Sequence, residues 1–479
     1  MAITAASRDD EPLLDTRYVE GMVNFQGEKI HQNSIEFGGW KSVTRVIAVG
    51  SVDSFIFYGM ASNLISFLTS QLEQSTATAA VNINVWSGFV YMLPLLTSFV
   101  ADSYLGRFST ILFSLVIYVL GLVMFSIYTS LQLSATSCSK NAVECIIISC
   151  SSPSTFQTPT FNWWQIGLCV GSSSSHLILN CVQDILGWGL AFGISSISMV
   201  TALIVFLYGV KSYRYTLKSD QADNDQTPSS IFKVVRPLLP LCFICLMYTV
   251  VDAQNVTFYT KQGSTMDRSI GPHFEIPAAS FQSLIGLSVI LFTALYDRAF
   301  VPFSQALTGK SNGITTLQRI GGGIVISAIS MVIAAIVENR RLQIALEFGL
   351  IDDSKAIVPM GVWWLIPQYV LSGLAIVFTT VGLLEFFYDQ VPNELRSVGL
   401  SLYSTVFGTG SYLSGFLISV IQKATSAGGG YGWFANNINQ GHLDYFYGFL
   451  AGVSLVGFVA FLCFSKSYVY KGRAPNFVH

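Results

Sequence analysis

The sequence predicts an all-α membrane protein of two helical bundles, and three observations carry that prediction. The chain is too apolar for water: 52 % of its 479 residues are hydrophobic, 11 % are charged and the mean hydropathy is +0.55. Soluble domains carry about 25 % charged residues. Apolar stretches near the roughly 20 residues that a bilayer crossing needs recur along the whole chain. One long polar interruption, KSYRYTLKSDQADNDQTPSSI at 211–231, divides them into two groups.

Taken in order, the first 40 residues are polar and hold no apolar core of a cleavable signal peptide. Residues 1–40 are expected to be a cytoplasmic tail. Within it, Asp9, Leu13 and Leu14 fit an acidic dileucine sorting pattern, an acid followed after three residues by two leucines. The string points to a vacuolar membrane, with the plasma membrane as the alternative, or it is a chance match in a polar tail. Eleven segments that can span follow, at about 43–69, 80–101, 109–132, 161–183, 187–209, 232–254, 278–299, 318–337, 361–386, 396–421 and 444–465. Lys211, Arg214, Lys218, Lys233 and Arg236 flank the central loop, and positive charge beside membrane ends marks the cytoplasmic face. Loop 70–79 has no Lys or Arg and is expected on the other face. The expected organisation is a bundle at 41–210, a cytoplasmic loop at 211–231, a second bundle at 232–468 and a cytoplasmic tail at 469–479.

Chemistry-bearing residues inside these stretches are few. Asp53 is the only acidic or basic side chain between Arg45 and Glu73, and a carboxylate within a bilayer is costly enough to read as functional. Asp252, in TVVDAQNVTFYTKQGSTMDRSIG, is the second such acid. It either faces a cavity or snorkels to water from a helix end. An acid there disfavours nitrate unless it is protonated or paired. Five histidines, at 31, 176, 273, 442 and 479, lack metal-ligand spacing. Gly321–Gly323 falls inside an apolar stretch and Gly428–Gly430 in a loop, so neither has a phosphate-binding context. No catalytic constellation emerges, no cofactor or metal is expected, and ATP-driven transport is disfavoured. The formal net charge of −2 leaves no basic face for nucleic acid. Cys169, Cys181, Cys242, Cys245 and Cys463 read as small membrane-core residues. Cys138, Cys145 and Cys150 share one short segment and can pair if it faces an oxidising lumen.

Several strings carry a family likeness: SVDSFIFYGMASNLISFLT around Asp53, ADSYLGR at 101–107, FNWWQIGLCVGS at 161–172, KQGSTMDR at 261–268, and WWLIPQY and GLLEFFYDQ between 363 and 390. Together they resemble the plant nitrate/peptide transporter family, the proton-dependent oligopeptide transporters of the major facilitator superfamily. The resemblance runs from Gly39 to about Tyr470. It implies a major facilitator fold and alternating access around a cavity between the bundles. It also implies a small solute such as nitrate, a di- or tripeptide or another organic anion. Asp53, Tyr58, Asp252 and Gln254 are then candidates for the substrate and proton site. In Asp102, Gly106 and Arg107 the family's gating motif is present: the acid and the guanidinium bind helix ends, and the glycine permits the tight turn.

The departures from the family pattern matter as much. Its Glu-x-x-Glu-Arg proton-coupling motif falls on Gly50, Ser51, Val52, Asp53 and Ser54, and the acid usual before Phe378-Thr379 is Ile376. Weak or absent proton coupling is therefore expected. The family has twelve helices, but 134–160 holds only a short apolar patch at Ile146–Ile148, so the fourth helix and its lysine are missing. With the usual helix directions, residue 133 is non-cytoplasmic and 161 is cytoplasmic. Three outcomes are open: the segment crosses packed inside the protein, the fold inverts locally, or the chain is an aberrant splice or gene-model product, a transport-inactive truncated protein or a substrate-binding sensor. Glu385 and Asp389 lie near the cytoplasmic end, with Arg396 as a possible partner.

Overall fold

A computed structural model of the chain describes residues 18–31, 39–134, 158–213, 215–216, 232, 234–271, 274–308, 314–354, 356–392, 396–427 and 432–468. Helices α1 (Gly39–Ser70), α2 (Thr76–Val100), α3 (Arg107–Ser134), α4 (Thr158–Cys181) and α5 (Trp188–Tyr208) make the first bundle. The second holds α6 (Leu239–Asp252), α7 (Phe258–Ser264), α8 (Ser283–Leu295), α9 (Val301–Thr308), α10 (Thr316–Glu347), α11 (Ile366–Ala375), α12 (Val381–Gln390), α13 (Arg396–Ser426) and α14 (Leu443–Ser467). Five-residue π-helical segments at Tyr296–Phe300 and Ile376–Thr380 join α8 to α9 and α11 to α12 into single spans.

Nine of the described helical stretches are long and apolar enough to cross a membrane. Two expected spans fall outside that set for different reasons. Ser172–Ser175, His176 and Asn180 interrupt the apolar run of α4. Helix α6 lasts only 14 residues before the chain breaks at 253–257. Large apolar side chains such as Met124, Ile197 and Val456 stand exposed on the outside of the bundles, a surface suited to hydrocarbon rather than water.

Close packing within the first bundle depends on small residues. Gly50 of α1 lies against the Trp164 indole of α4, and Gly171 of α4 lies against the Ser51 carbonyl; a Cβ at either position has no room. Inside α3 and α5, Phe125 and Phe192 meet edge to face with centroids 4.3 Å apart. In the second bundle, Thr315 opens α10 with a capping box: its hydroxyl accepts from the Gln318 N–H, and the Gln318 side chain accepts from the Thr315 N–H. Phe258, Phe434 and Phe446 form an aromatic core there, with two centroid distances of 4.9 Å.

A buried ion pair also anchors α10. Arg341 donates to both carboxylate oxygens of Glu338, at 2.8 and 2.7 Å, and to Asn439 Oδ1 at 2.6 Å. Both charged side chains are wholly shielded from solvent. Asn437 and Asn439 in turn donate to the Ile351 and Leu350 carbonyls, so the charges hold the connection into α14 against the end of α10. Glu385 is held by Arg319 at 3.2 Å, while the Arg396 side chain lies outside the described residues.

Short strands lie beside the helices. β1 (Tyr18–Val23) pairs antiparallel with β2 (Lys29–His31) and with β3 (Tyr215–Thr216). β4 (Met266–Asp267) pairs in parallel with β5 (Val358–Gly361).

Helix directions follow from the side-chain contacts. Gly167 and Trp164, early in α4, meet Ile47 and Gly50, early in α1. Asn63, late in α1, bonds Gln183 and Asp184, just beyond α4. α4 therefore runs parallel to α1. Ser126 of α3 contacts Gly189 at the start of α5, and Phe108 stacks on Phe206. Consequently Ser134 and Thr158 lie at opposite ends of the bundle. Helices α4 and α5 thus keep the expected directions, with no local inversion between them, and residues 135–157 lie outside the described part. Ser42 and Arg45 both bond Ser212, which places the chain leaving α5 at the end where α1 begins. That is opposite the Ser70–Thr76 turn.

Candidate functional site

Asp53 sits midway along α1, 9 % exposed, with no hydrogen bond or ion pair to any described residue. Tyr58 is also midway along α1, yet it is 37 % exposed. Cys169 of α4, Asp53 and Asp252 all lie within electrostatic reach of it. Tyr91 of α2 and Tyr403 of α13 lie within the same reach of Tyr58 and Asp252. A tyrosine exposed halfway through the bundle, beside groups from both bundles, faces an interior cleft between them.

Asp252 is the last residue of α6, where the spanning helix is interrupted before α7. Broken helices at membrane depth occur where the backbone is buried in protein or lines a cavity. One oxygen of Asp252 accepts from Asn255 Nδ2 at 3.1 Å. The residue borders a small cavity of about 10 Å³ lined also by Tyr248, Ser327, Ser330 and Ser372. Ser327 is 3 % exposed and its hydroxyl has no partner. Among the described residues, no Lys or Arg forms an ion pair with Asp53 or Asp252. The structure thus brings Asp53, Tyr58 and Asp252 to one cleft.

Gln254 has a different setting. It is fully buried and donates to the Val250 carbonyl at 2.7 Å and to Ser414 Oγ at 3.1 Å. Asn84 of α2 donates to the same hydroxyl at 3.2 Å, so Gln254 belongs to a hydrogen-bonded link between the bundles. Further links are Thr260 and Gln282 donating to the Ser62 carbonyl at 3.3 and 3.2 Å. Thr76 bonds Asn436, its N–H donating to Oδ1 at 3.3 Å and its hydroxyl to the backbone carbonyl at 3.5 Å. All of the described hydrogen bonds between the bundles lie toward the Ser70 end.

At the opposite end, Ala101–Leu105 is π-helical, and Gly106 has φ 76°, a conformation that favours glycine. The side chains of Asp102 and Arg107 lie outside the described residues, as do Asp9, Leu13 and Leu14 and the three cysteines at 138, 145 and 150. Trp164 is turned inward onto α1 rather than toward a membrane interface.

Sequence reasoning missed four contributors. Tyr91 and Tyr403 gave no signal beyond being aromatic, and Ser327 none at all. His176 did give one, as a polar residue after four serines in a spanning helix. It is 5 % exposed, its Nδ1 has no partner, and its ring lies 6.2 Å from that of Tyr58.

Comparison with known proteins decides the family. The PTR2 profile of the POT family matches residues 151–236 and 221–434. Protein NRT1/ PTR FAMILY 5.10 of Arabidopsis thaliana is 42 % identical, over 91 % of this chain and 94 % of that protein. The chain belongs to the POT family, on its NRT1/PTR side. NRT1/ PTR FAMILY 5.11 of the same plant is 40 % identical, over 98 % and 99 % of the two chains. As members of this family are transporters, the POT chain is not an enzyme. The first alignment runs over 533 residues, more than the 479 present here, so the relative has stretches with no counterpart in this chain. Among solved structures, an auto inhibited POT family peptide transporter superimposes with a TM-score of 0.72 at 19 % identity, covering 91 % of this chain and 99 % of its own. A POT family transporter in complex with 5-aminolevulinic acid gives 0.68 at 15 %, covering 90 % and 98 %. These likenesses show the major facilitator fold of two helical bundles.

Proposed function

We propose that this POT-family protein moves a small solute across its membrane by alternating access, with little or no proton coupling. The observation that carries the reading is the cleft: Tyr58, Asp53 and Asp252 come together there from both bundles, while the described links between the bundles lie toward one end only. With the basic residues around 211–236 on the cytoplasmic face, the linked end is external and the solute leaves or enters on the cytoplasmic side. Asp102, Gly106 and Arg107 then act as the cytoplasmic gate. The solute classes that fit the family are nitrate, a di- or tripeptide and other organic anions.

Weak coupling follows from what replaces the missing motif. A Glu-x-x-Glu-Arg site exchanges a proton against an internal salt bridge and so biases the equilibrium between the two open states. Ser54 supplies no charge, and the space beside Gly50 is filled by the Trp164 ring, leaving no room for an acid. A carrier coupled one-to-one accumulates solute about tenfold per pH unit of gradient, since one unit is worth about 1.4 kcal/mol per proton. In proteoliposomes, this chain is expected to equilibrate its solute with little such accumulation, and Asp53→Asn or Asp252→Asn is expected to remove any residual pH dependence. Strong accumulation that survives both substitutions contradicts the uncoupled reading.

One observation favours a second reading, a transport-inactive truncated or splice product. Ser134 and Thr158 stand at opposite ends of the bundle with no described span between them, and lipid-exposed irregular backbone is not tolerated at that depth. Sequencing the transcript across codons 130–160, together with an uptake assay, separates the two.

The vacuolar membrane is the proposed location, on the strength of Asp9, Leu13 and Leu14. A fluorescent fusion is expected there, and Leu13→Ala with Leu14→Ala is expected to send it elsewhere, chiefly to the plasma membrane. An unchanged pattern in the double variant makes the motif a chance string.

A further inference from the structure

We infer that the end of the first bundle where α1 begins and α5 ends carries a binding site for the headgroup of an anionic phospholipid. The site lies apart from the cleft and does not depend on which solute is carried.

Its frame is fixed by side-chain bonds between the two helix ends. Ser42 donates to the Ser212 carbonyl at 2.9 Å, and Arg45 donates to the Ser212 hydroxyl at 3.0 Å. The Arg45 guanidinium also lies over the Tyr208 ring, 5.4 Å from its centroid. Just beyond, β3 pairs with β1, so the chain leaving α5 is held from both sides.

Positive charge gathers on that frame. Lys41 and Arg45 stand one turn apart on one face of α1, where like charges repel. Lys211 adjoins Ser212, the residue that Arg45 holds. Lys41 and Lys211 are exposed, and Arg45 is half-buried. Among the described residues, no Asp or Glu forms an ion pair with any of the three. A bound anion relieves the repulsion. With its planar face on Tyr208, Arg45 keeps N–H groups at its edge for phosphate oxygens.

Depth selects a lipid over a soluble anion. Along α5, Ile204 and Leu207 are exposed apolar side chains, Tyr208 follows at 80 % exposure, and Lys211 comes after it. On α1, Trp40 is 58 % exposed beside Lys41. Apolar, then aromatic, then basic is the order in which a bilayer passes from hydrocarbon through interface to headgroups. A phosphate dissolved in water gains nothing from the exposed aromatic rings, whereas a phospholipid packs its glycerol and upper acyl chains against them. Anionic lipids concentrate in the cytoplasmic leaflet, and basic pockets between helix ends there hold their headgroups. The proposed topology puts this end on that side.

The test uses the purified full-length protein in detergent with added phosphatidylserine, phosphatidylinositol 4-phosphate or phosphatidylcholine. Inorganic phosphate and the soluble inositol phosphate headgroup are run beside them. Binding is read as the rise in thermal unfolding midpoint. The two anionic lipids are expected to raise it and phosphatidylcholine is not. Lys41→Gln with Lys211→Gln is expected to weaken the anionic lipids by about tenfold or more, with the lipid-free midpoint kept, because neither side chain has a described partner. Lys41→Arg with Lys211→Arg should bind as the unaltered protein does. A rise of equal size with phosphatidylcholine, or unchanged anionic-lipid binding in the glutamine variant, overturns the inference. An equal rise with inorganic phosphate or the soluble headgroup also overturns it, making the corner a site for free phosphate. One further measurement needs no variant: added sodium chloride should weaken the rise given by the anionic lipids, and a rise indifferent to salt overturns the inference.

Discussion

Arg341→Ala is expected to destabilise the folded protein by about 3–5 kcal/mol, the usual cost of removing one partner from a buried ion pair. The cost arises because the Glu338 carboxylate is left at zero exposure without its two charge-assisted hydrogen bonds. Asn439 Oδ1 loses its donor at the same time, which loosens the connection into α14 at the end of α10. Glu338→Gln should fall short of that loss, because an amide still accepts one bond from the guanidinium. Glu338→Leu with Arg341→Met should recover most of the stability, since removing both charges together avoids an orphaned ion. Thermal unfolding of the detergent-solubilised variants measures this. A single substitution that leaves the midpoint unchanged shows that the pair does not hold α10.

Sequence and structure agree best where one residue carries the signal alone. Asp53 and Asp252 were legible because acids are rare at membrane depth, and the turn at Gly106 because its string is specific. What was not legible depends on which helices meet. Gln254 adjoins Asp252 in sequence and was grouped with it, but one residue further along the break at 253–257 its side chain joins Ser414 and Asn84. Arg319 and Glu385 are 66 residues apart and pair only because α10 packs on α12. Tyr91, Tyr403 and Ser327 become notable solely through what stands opposite them. The loss at Gly50 was visible as a missing acid, but its consequence was not: the Trp164 ring occupies the place, so the loss is built into the α1–α4 packing. The Glu338-x-x-Arg341 spacing, an acid and a base three residues apart on one helix face of an apolar span, is a signal readable in the sequence.

Under the proposed alternating access, the two bundles must part at the Ser70 end for a solute to cross. Thr76 of α2 and Asn436, ahead of α14, join the bundles there through bonds of 3.3 and 3.5 Å. A disulfide between cysteines placed at these two positions should lock that end shut. In proteoliposomes tested with nitrate, dialanine and L-alanyl-L-alanine amide, the Thr76→Cys, Asn436→Cys protein is expected to take up solute when reduced, to lose uptake on oxidation, and to regain it with reductant. Each single-cysteine variant should be indifferent to oxidant. Undiminished uptake with the crosslink complete, or no uptake of any of the three solutes by the reduced protein, contradicts transport through this end.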